Sequence, residues 1–302
     1  MLSWIKHSTF IRKTHRKAFN VNARFINFVA MHAGRAKTSV KEEHKNRPLV
    51  VVTVAFNHVG LIEKQIELLR QNLTDEGFLH VVADNSPDKN CRRQIEQLCQ
   101  EQHVVYVSVP PIIERCCWHR VFYGGISHGG ALNWLYYHYL RELSPKRLAL
   151  LDHDAFPLAP TSLCQSLGQR PFYGVKRIME HGWYLWPGWC LFSFDFLLKH
   201  QPDFLPIYVS DSYLDAGGNN FFRLFQSFSP MKTEFPMVKT HRIKKTKGLT
   251  RHDEIYHGDC IQIIEGKWVH IINGSNCAHI PGKEKVVQKL LNNLDRLQPY
   301  TS

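Results

Sequence analysis

Arg147-Leu-Ala-Leu-Leu-Asp152-His153-Asp154-Ala155-Phe-Pro157 is the stretch on which the reading of this chain turns. Leu148 to Leu151 read as a buried strand, and that strand ends in two aspartates one residue apart. Placing carboxylates beside a buried strand is costly unless a partner replaces the lost water. A carboxylate pair suits a hard divalent cation, and such a cation commonly holds phosphate oxygens. In extended backbone the one-residue spacing turns both carboxylates to one side and His153 to the other. Asp154 is therefore expected on a metal, Asp152 on the metal through water or on a ribose, and His153 in packing.

Upstream, strands and helices alternate. Residues 49–55 are apolar and largely β-branched, as in a strand buried on both faces, and end at Phe56-Asn57-His58. A helix is expected over 60–72, with Leu61, Ile62, Ile66, Leu68 and Leu69 on its buried face. A second strand over 78–83 ends at Asp84-Asn85-Ser86, and a second helix follows through Gln94, Ile95 and Leu98. A third strand over 104–109 is closed by Pro110 and Pro111, and Gly129-Gly130-Ala131-Leu132-Asn133 is expected to open a third helix reaching Leu140. This alternation predicts an α/β fold with a wound, mostly parallel sheet. Ligands of such sheets gather outside the carboxyl ends of the strands. Asn57, Asp84 and the Asp152/Asp154 pair fall at three of those ends.

From about residue 48 to 163 this order resembles the family 2-like glycosyltransferases of GT-A fold. Ala55-Phe56-Asn57 is similar to the family's turn that begins the nucleotide pocket, and Asp84 to the acidic residue that meets the base. Gly129 to Asn133 resembles the helix start before the metal strand, which puts Asn133 on the donor. Asp152-His153-Asp154 is similar to the DxD motif, and Trp186-Pro-Gly188-Trp189-Cys-Leu-Phe192 to an acceptor-side segment. The resemblance implies a Rossmann-like GT-A domain over 48–282, preceded by a basic helical arm over 1–47 and followed by a helix over 283–302. It implies transfer of a sugar, with inversion, from a nucleotide-diphosphate sugar (a UDP-sugar first) to a hydroxyl, with Mn2+ or Mg2+ as cofactor. The acceptor would be a glycan, a lipid-linked or another hydroxyl compound, in surface glycan or glycolipid assembly.

The chemistry explains why these residue types matter. A sugar leaves a diphosphate readily when a divalent metal stabilises the departing charge. Trp268-Val-His270-Ile-Ile-Asn273-Gly274 looks like the C-terminal histidine element of many GT-A enzymes. The likeness puts His270 on the metal and the turn with Asn273 near the diphosphate. A histidine satisfied inside the core is the competing reading in a chain with 18 histidines, and His257 and His279 are weaker candidates. The acceptor hydroxyl also needs a base, commonly an aspartate or glutamate within hydrogen-bond reach. The Glu-Asp pair often seen in the family is missing here. Asp215, ahead of Gly217 and Gly218, is the first candidate and Asp211 the second. A turn-forming role for Asp215 and a helix-capping role for Asp211 stand beside these. Trp183 and Trp186 are candidate walls for a sugar, with Tyr173, Tyr184 and Trp189 read as core.

Composition narrows the classes. The chain has 302 residues, 44% hydrophobic and 21% charged, as in ordinary globular proteins. Its apolar runs fall short of the roughly 20 residues of a membrane span, and its start lacks a secretory apolar core. Eight scattered cysteines without a CxxC pair read as reduced thiols of a cytoplasmic protein. Of the net charge of +12, residues 1–47 carry +9. Their aromatic and basic residues suggest an amphipathic helix that lies on an anionic membrane, peripheral on its inner face, or packs on its own domain. Nucleic acid is not indicated, because no recognition motif accompanies the charge. The basic stretch 239–251 reads as a loop that is solvated, closes over the diphosphate or meets an anionic acceptor. A sugar-phosphate nucleotidyltransferase would show a glycine-rich basic loop after the first strand, where this chain has Phe56-Asn57-His58-Val59-Gly60. A non-catalytic protein binding anionic surfaces would leave the ordered aspartate turns unexplained.

Overall fold

The computed structural model describes residues 9–116, 123–242, 260–272, 274 and 283–294. Asn273, His257, His279 and most of the basic stretch 239–251 lie outside them. A long helix, α1 (Thr9–His32), precedes the first unit of β1 (Val50–Ala55), α2 (Val59–Asn72) and β2 (Leu79–Asp84). Then come α3 (Lys89–Glu101), β3 (Val105–Ser108), the short α4 (Pro111–Arg115) and α5 (Tyr123–Leu135), which runs on through a π-helical turn at Tyr136–Leu140. β4 (Arg147–Asp152) is followed at once by β5 (Ala155–Pro157), α6 (Leu163–Leu167), and the long strands β6 (Phe172–Met179) and β7 (Gly182–Ser193). The chain continues through α7 (Phe194–His200), β8 (Ile207–Val209), β9 (Ser212–Leu214), β10 (Val238–Arg242), β11 (Cys260–Ile264), β12 (Trp268–Ile271) and α8 (Lys283–Leu291).

The main sheet has the order β3-β2-β1-β4-β7-β6. Its first four strands are parallel, and β7 runs antiparallel to both β4 and β6. This is the wound, mostly parallel α/β sheet expected from the sequence. β1 lacks alternation because both its faces are covered. Val50, Val52 and Val54 pack in one cluster with Trp134 and Leu135 of α5. Val51 packs in another with Leu69, Trp189 and Trp268. Caps set the helix starts. The Asp88 carboxylate accepts from the N–H groups of Asn90 and Cys91 at 2.8 Å, and His58 Nδ1 from Leu61 at 3.3 Å. A second sheet, β10-β11-β12-β5, branches from the first where β4 passes into β5.

The third helix differs from expectation. It already runs from Tyr123, so Gly129 and Gly130 lie inside it rather than at its start. A Cβ on Gly129 would collide with the backbone of Phe204, so the glycine serves close packing against that segment. α1 packs on the domain through Phe19, Ala23, Ile26 and Ala30, all buried, against partners that include Ile126 and Leu205. α8 packs Val287, Leu290 and Leu291 on Ile261, Ile263, Val269 and Phe156. Among the described residues no helix is long and apolar enough to cross a membrane. Cys91, Cys99, Cys116, Cys164 and Cys190 are free thiols.

One buried histidine makes stability depend on pH. Burial, and then the charge of Arg70, pushes His80 down to about 3 from an ordinary value of 6.5. The unfolded chain binds a proton below pH 6.5 that the folded chain refuses until about pH 3. The stabilisation is therefore complete above the upper value and lost progressively as pH falls between the two. His128 and His153, both pushed down to about 4 chiefly by burial, act with the same sign. The histidine share is read as a difference: in metal-free protein the urea midpoint of His80→Gln should lose less between pH 7 and pH 4 than that of the wild type, against the opposing gain both share from protonating the raised Asp84 and Asp152. Equal shifts of the two midpoints over this range would contradict it.

Candidate active site

Asp152 closes β4, and the chain crosses from one sheet to the other over His153 and Asp154. β5 then pairs antiparallel with β12, which sets His270 opposite Ala155. The Ile271 N–H donates to the Asp154 carbonyl at 3.0 Å. This pairing brings His270 Nε2 to 3.5 Å from Asp154 Oδ1. His270 Nδ1 lies 3.1 Å from Gln262 Oε1. An amide oxygen can only accept, so Nδ1 donates to it, which fixes the ring with Nε2 facing the carboxylate. Ligand atoms of Asp152, Asp154 and His270 all lie within 4.8 Å of one another. Two carboxylates and an imidazole in this arrangement fit Mn2+ or Mg2+, and the imidazole favours Mn2+.

The electrostatics support a cation there. Asp152 is held well above the usual carboxylate range by burial, then by Asp154 and Asp215, with Arg177 pulling the other way. Like charges converging in one cleft are relieved when a cation joins them. His128 Nδ1 lies 3.6 Å from Asp152 Oδ1, but burial keeps this ring neutral at pH 7. His153 is buried, as expected of a packing residue, and also lines the inner wall of the cleft.

A buried uncharged relay fixes the aspartate turn. Thr53 Oγ1 donates to Gln65 Oε1 at 2.7 Å and lies 3.0 Å from His80 Nε2, which therefore donates to it. Gln65 Nε2 donates to the carbonyls of Asp152 and Ala155, both at 2.8 Å. The side chain thus grips the backbone on both sides of His153 and Asp154. Gln65→Leu should destabilise the fold by about 1–3 kcal/mol by leaving buried acceptors unpaired. It should also weaken Mn2+ binding by about tenfold to a hundredfold, as losses of outer supports at metal sites do. Calorimetric Mn2+ titration beside urea melts measures both, and unchanged Mn2+ affinity would deny the relay a positioning role.

Asp215 stands on another wall of the same cleft, just after β9. Tyr213 Oη donates to Asp215 Oδ1 at 3.1 Å, and the Asp215 N–H donates to Tyr184 Oη at 3.2 Å. Burial and the Asp215 charge raise both phenols, Tyr184 to about 12, so they stay protonated. Gly125 of α5 makes room here, since a Cβ on it would collide with Asp215 Oδ1. Trp186, one of the two candidate walls, does line the cleft, with its ring centroid 4.4 Å from that of His270 and the Arg177 guanidinium 5.4 Å from its own centroid. Trp183 instead lies in the core, stacked on Phe225 at 4.9 Å.

Several expected contacts fall elsewhere. Asn133 is fully buried in mid-helix. Its Nδ2 donates to Asp203 Oδ1 at 2.7 Å and its Oδ1 accepts from the Phe204 N–H at 2.7 Å, so it is placed for packing rather than for the donor. Through Phe204, whose carbonyl accepts from the Gly217 N–H at 2.6 Å, it pins the loop after Asp215. Asp211 lies in the β8–β9 turn, not at a helix start; it is 75% exposed and pairs with Arg16 of α1. Asp84 is fully buried, with Oδ1 accepting from the Ser86 N–H at 2.8 Å and Oδ2 from Tyr106 Oη at 2.9 Å. Burial raises its pKa, and both its oxygens serve the turn rather than an incoming base. Its neighbour Asn85 lines the cleft instead, oriented by Nδ2 donating to Ser127 Oγ at 2.8 Å. Asn57 has a left-handed φ of 51° and its Oδ1 accepts from the Asp88 N–H at 3.2 Å, while Phe56 lines the cleft. Gln65, His128, Tyr213, Asn85 and Arg177 were not singled out by sequence. A glutamine on the otherwise apolar face of α2 was the available sign for the first, and the others depend on contacts distant in sequence.

No family model matches the chain, and no curated protein matches it in sequence. Among solved structures it is similar to the mannosyltransferase PcManGT from Pyrobaculum calidifontis in complex with GDP-Man and Mn2+, at 12% identity and a TM-score of 0.35 over 60% of this chain and 55% of that one. It is similar to the mannosyltransferase Ktr4p from S. cerevisiae in complex with GDP, at 8% identity and 0.36 over 60% and 67%. A third is the galactosyltransferase LgtC in complex with donor and acceptor sugar analogs, at 13% and 0.33 over 48% and 57%. The matches thus span little more than half the length of PcManGT and LgtC. With TM-scores below 0.5, the chemistry assigned to this chain stands on its own site residues.

Proposed function

We propose that the protein is a metal-dependent glycosyltransferase that moves a sugar from a nucleotide-diphosphate sugar to an acceptor hydroxyl with inversion. One observation carries the reading. Asp152, Asp154 and His270 converge beside a cleft at the carboxyl ends of the parallel strands, and Asp215 faces the same cleft. Asp152, Asp154 and His270 would hold Mn2+ or Mg2+, which when bound acts as a Lewis acid on the diphosphate. Phe56 and Asn85 line the part of the cleft that receives the nucleotide, and Trp186 offers an aromatic wall to the sugar. Asp215 accepts the proton as the acceptor oxygen bonds to the anomeric carbon and the bond to the diphosphate breaks. Tyr213 keeps Asp215 in place, and a single displacement of this kind needs one base and no protein nucleophile. A UDP-sugar is proposed as donor on the strength of the family resemblance over 48–163, and a glycan or lipid-linked hydroxyl as acceptor.

Thermal melts with UDP or GDP, each with Mn2+ or with chelator, test the reading. A rise of several degrees that needs both metal and nucleotide is expected, since a saturating ligand contributes about 2–4 kcal/mol. No metal-dependent rise with any nucleoside diphosphate would sink it. A panel of nucleotide sugars, followed for slow hydrolysis, then identifies the donor.

A further inference from the structure

α1 is apolar on two opposite faces. The inner one, with Phe19, Ala23, Ile26 and Ala30, is buried against the domain. On the outer one Val21, Phe25 and Phe28 are 62%, 52% and 59% exposed, and Met31 beside them is 41% exposed. Spacings of four and three residues place the first three on one ridge. A surface helix needs one apolar face to reach its core, and a second, solvated one marks a binding surface.

Charge says what binds. α1 contains five Lys/Arg and no acid. Arg16 turns inward to Asp211, while Lys13, Lys17 and Arg24 are exposed along one flank of the ridge. Arg35 and Lys37 continue the basic surface just beyond the helix. We infer that the outer face of α1 docks on an anionic lipid bilayer, with Phe25 and Phe28 entering the headgroup boundary and the flanking cations meeting lipid phosphates. A second copy of the chain fits less well, since a two-fold contact would set one basic flank near another with no acid on α1 to offset it.

The inner side of α1 connects this face to the cleft. Asn20 holds Tyr208 of the β8–β9 hairpin by two hydrogen bonds, at 2.9 and 3.0 Å. Phe19 meets Tyr208 and Tyr213 edge-on at 5.3 and 5.7 Å, and Tyr213 in turn holds Asp215. Docking would therefore set the wall carrying Asp215 at a fixed height over the bilayer, within reach of a lipid-linked acceptor. This last step rests on the proposed transferase, whereas the docking itself does not.

Co-sedimentation of the full chain with vesicles tests the docking. Mixed phosphatidylcholine and phosphatidylglycerol vesicles should bind it at least about tenfold more tightly than pure phosphatidylcholine, with the difference shrinking in high salt. The double variants Phe25→Ser/Phe28→Ser and Lys17→Glu/Arg24→Glu should each lose about tenfold or more. Both should keep the wild-type melting temperature and the metal-dependent response to nucleotide. Equal binding to both lipids, equal binding by the variants, or a concentration-dependent dimer that Phe25→Ser/Phe28→Ser abolishes would overturn the inference. The nucleotide response, read on the same samples, separates failure here from failure of the transferase reading.

Discussion

Asp154→Asn is expected to lower sugar transfer by about a hundredfold to a thousandfold and to weaken Mn2+ binding by a similar factor. Asp154 is fully buried, its carbonyl accepts from the Ile271 N–H, and Gly274 lies against its side chain. The amide keeps the shape and removes the charge, so packing survives while the donor set loses its most enclosed carboxylate. A second consequence runs opposite in sign. Asp154 is the second cause, after burial, of the raised Asp152 carboxyl. Removing its charge should return Asp152 toward ordinary acidity and make the chelator-treated variant at pH 7 at least as stable as the wild type. Calorimetric Mn2+ titration, transfer assays and urea melts in chelator read all three effects. Wild-type Mn2+ affinity in the variant would remove Asp154 from the metal site. Melting well below the wild type would show that the carboxylate serves the fold.

Asp215→Asn should leave Mn2+ and donor binding near wild type and lower kcat by about a hundredfold to ten-thousandfold, the usual loss when a positioned base is removed. The separation follows from position. Asp215 faces the cleft but does not belong to the cluster of Asp152, Asp154 and His270. Tyr213→Phe should cost far less, about tenfold, because it removes one hydrogen bond that orients the carboxylate. An unchanged kcat in Asp215→Asn would move the base elsewhere. A raised donor KM at unchanged kcat would give Asp215 a binding role.

The strands of the parallel sheet were legible to within a residue or two. Buried parallel strands are continuous apolar runs, and the polar turns at their tips mark where they stop. The aspartate turn was legible because its spacing is a local property of the chain. The second sheet was not, since β5 has three residues and is defined by pairing with β12, far along the sequence. Side-chain direction at turns was equally hidden. Asp84, Asn133 and Asp211 sit close to their expected positions in the chain, but tertiary hydrogen bonds turn the first two inward and an ion pair draws the third to α1. Asp215 was legible as a candidate through its nearby glycines, whereas the glycine that makes room for its carboxylate, Gly125, lies on a different element. For α1, sequence left lipid binding and packing on the domain as alternatives, and the packed helix keeps a second apolar face that makes them compatible.

The aspartate turn sits at the seam between two sheets, not on the floor of either. In the proposed enzyme, a cation held by Asp152 on one sheet and His270 on the other would stitch that seam. The chain alone crosses it between β4 and β5; the β5–β12 ladder anchors the turn on the second-sheet side, while the Gln65 tether keeps it shaped from the main-sheet side. Filling the site would then stiffen the joint, and emptying it would relax it. Departure of the spent nucleotide with its cation would loosen one wall of the cleft at the moment the next donor must enter.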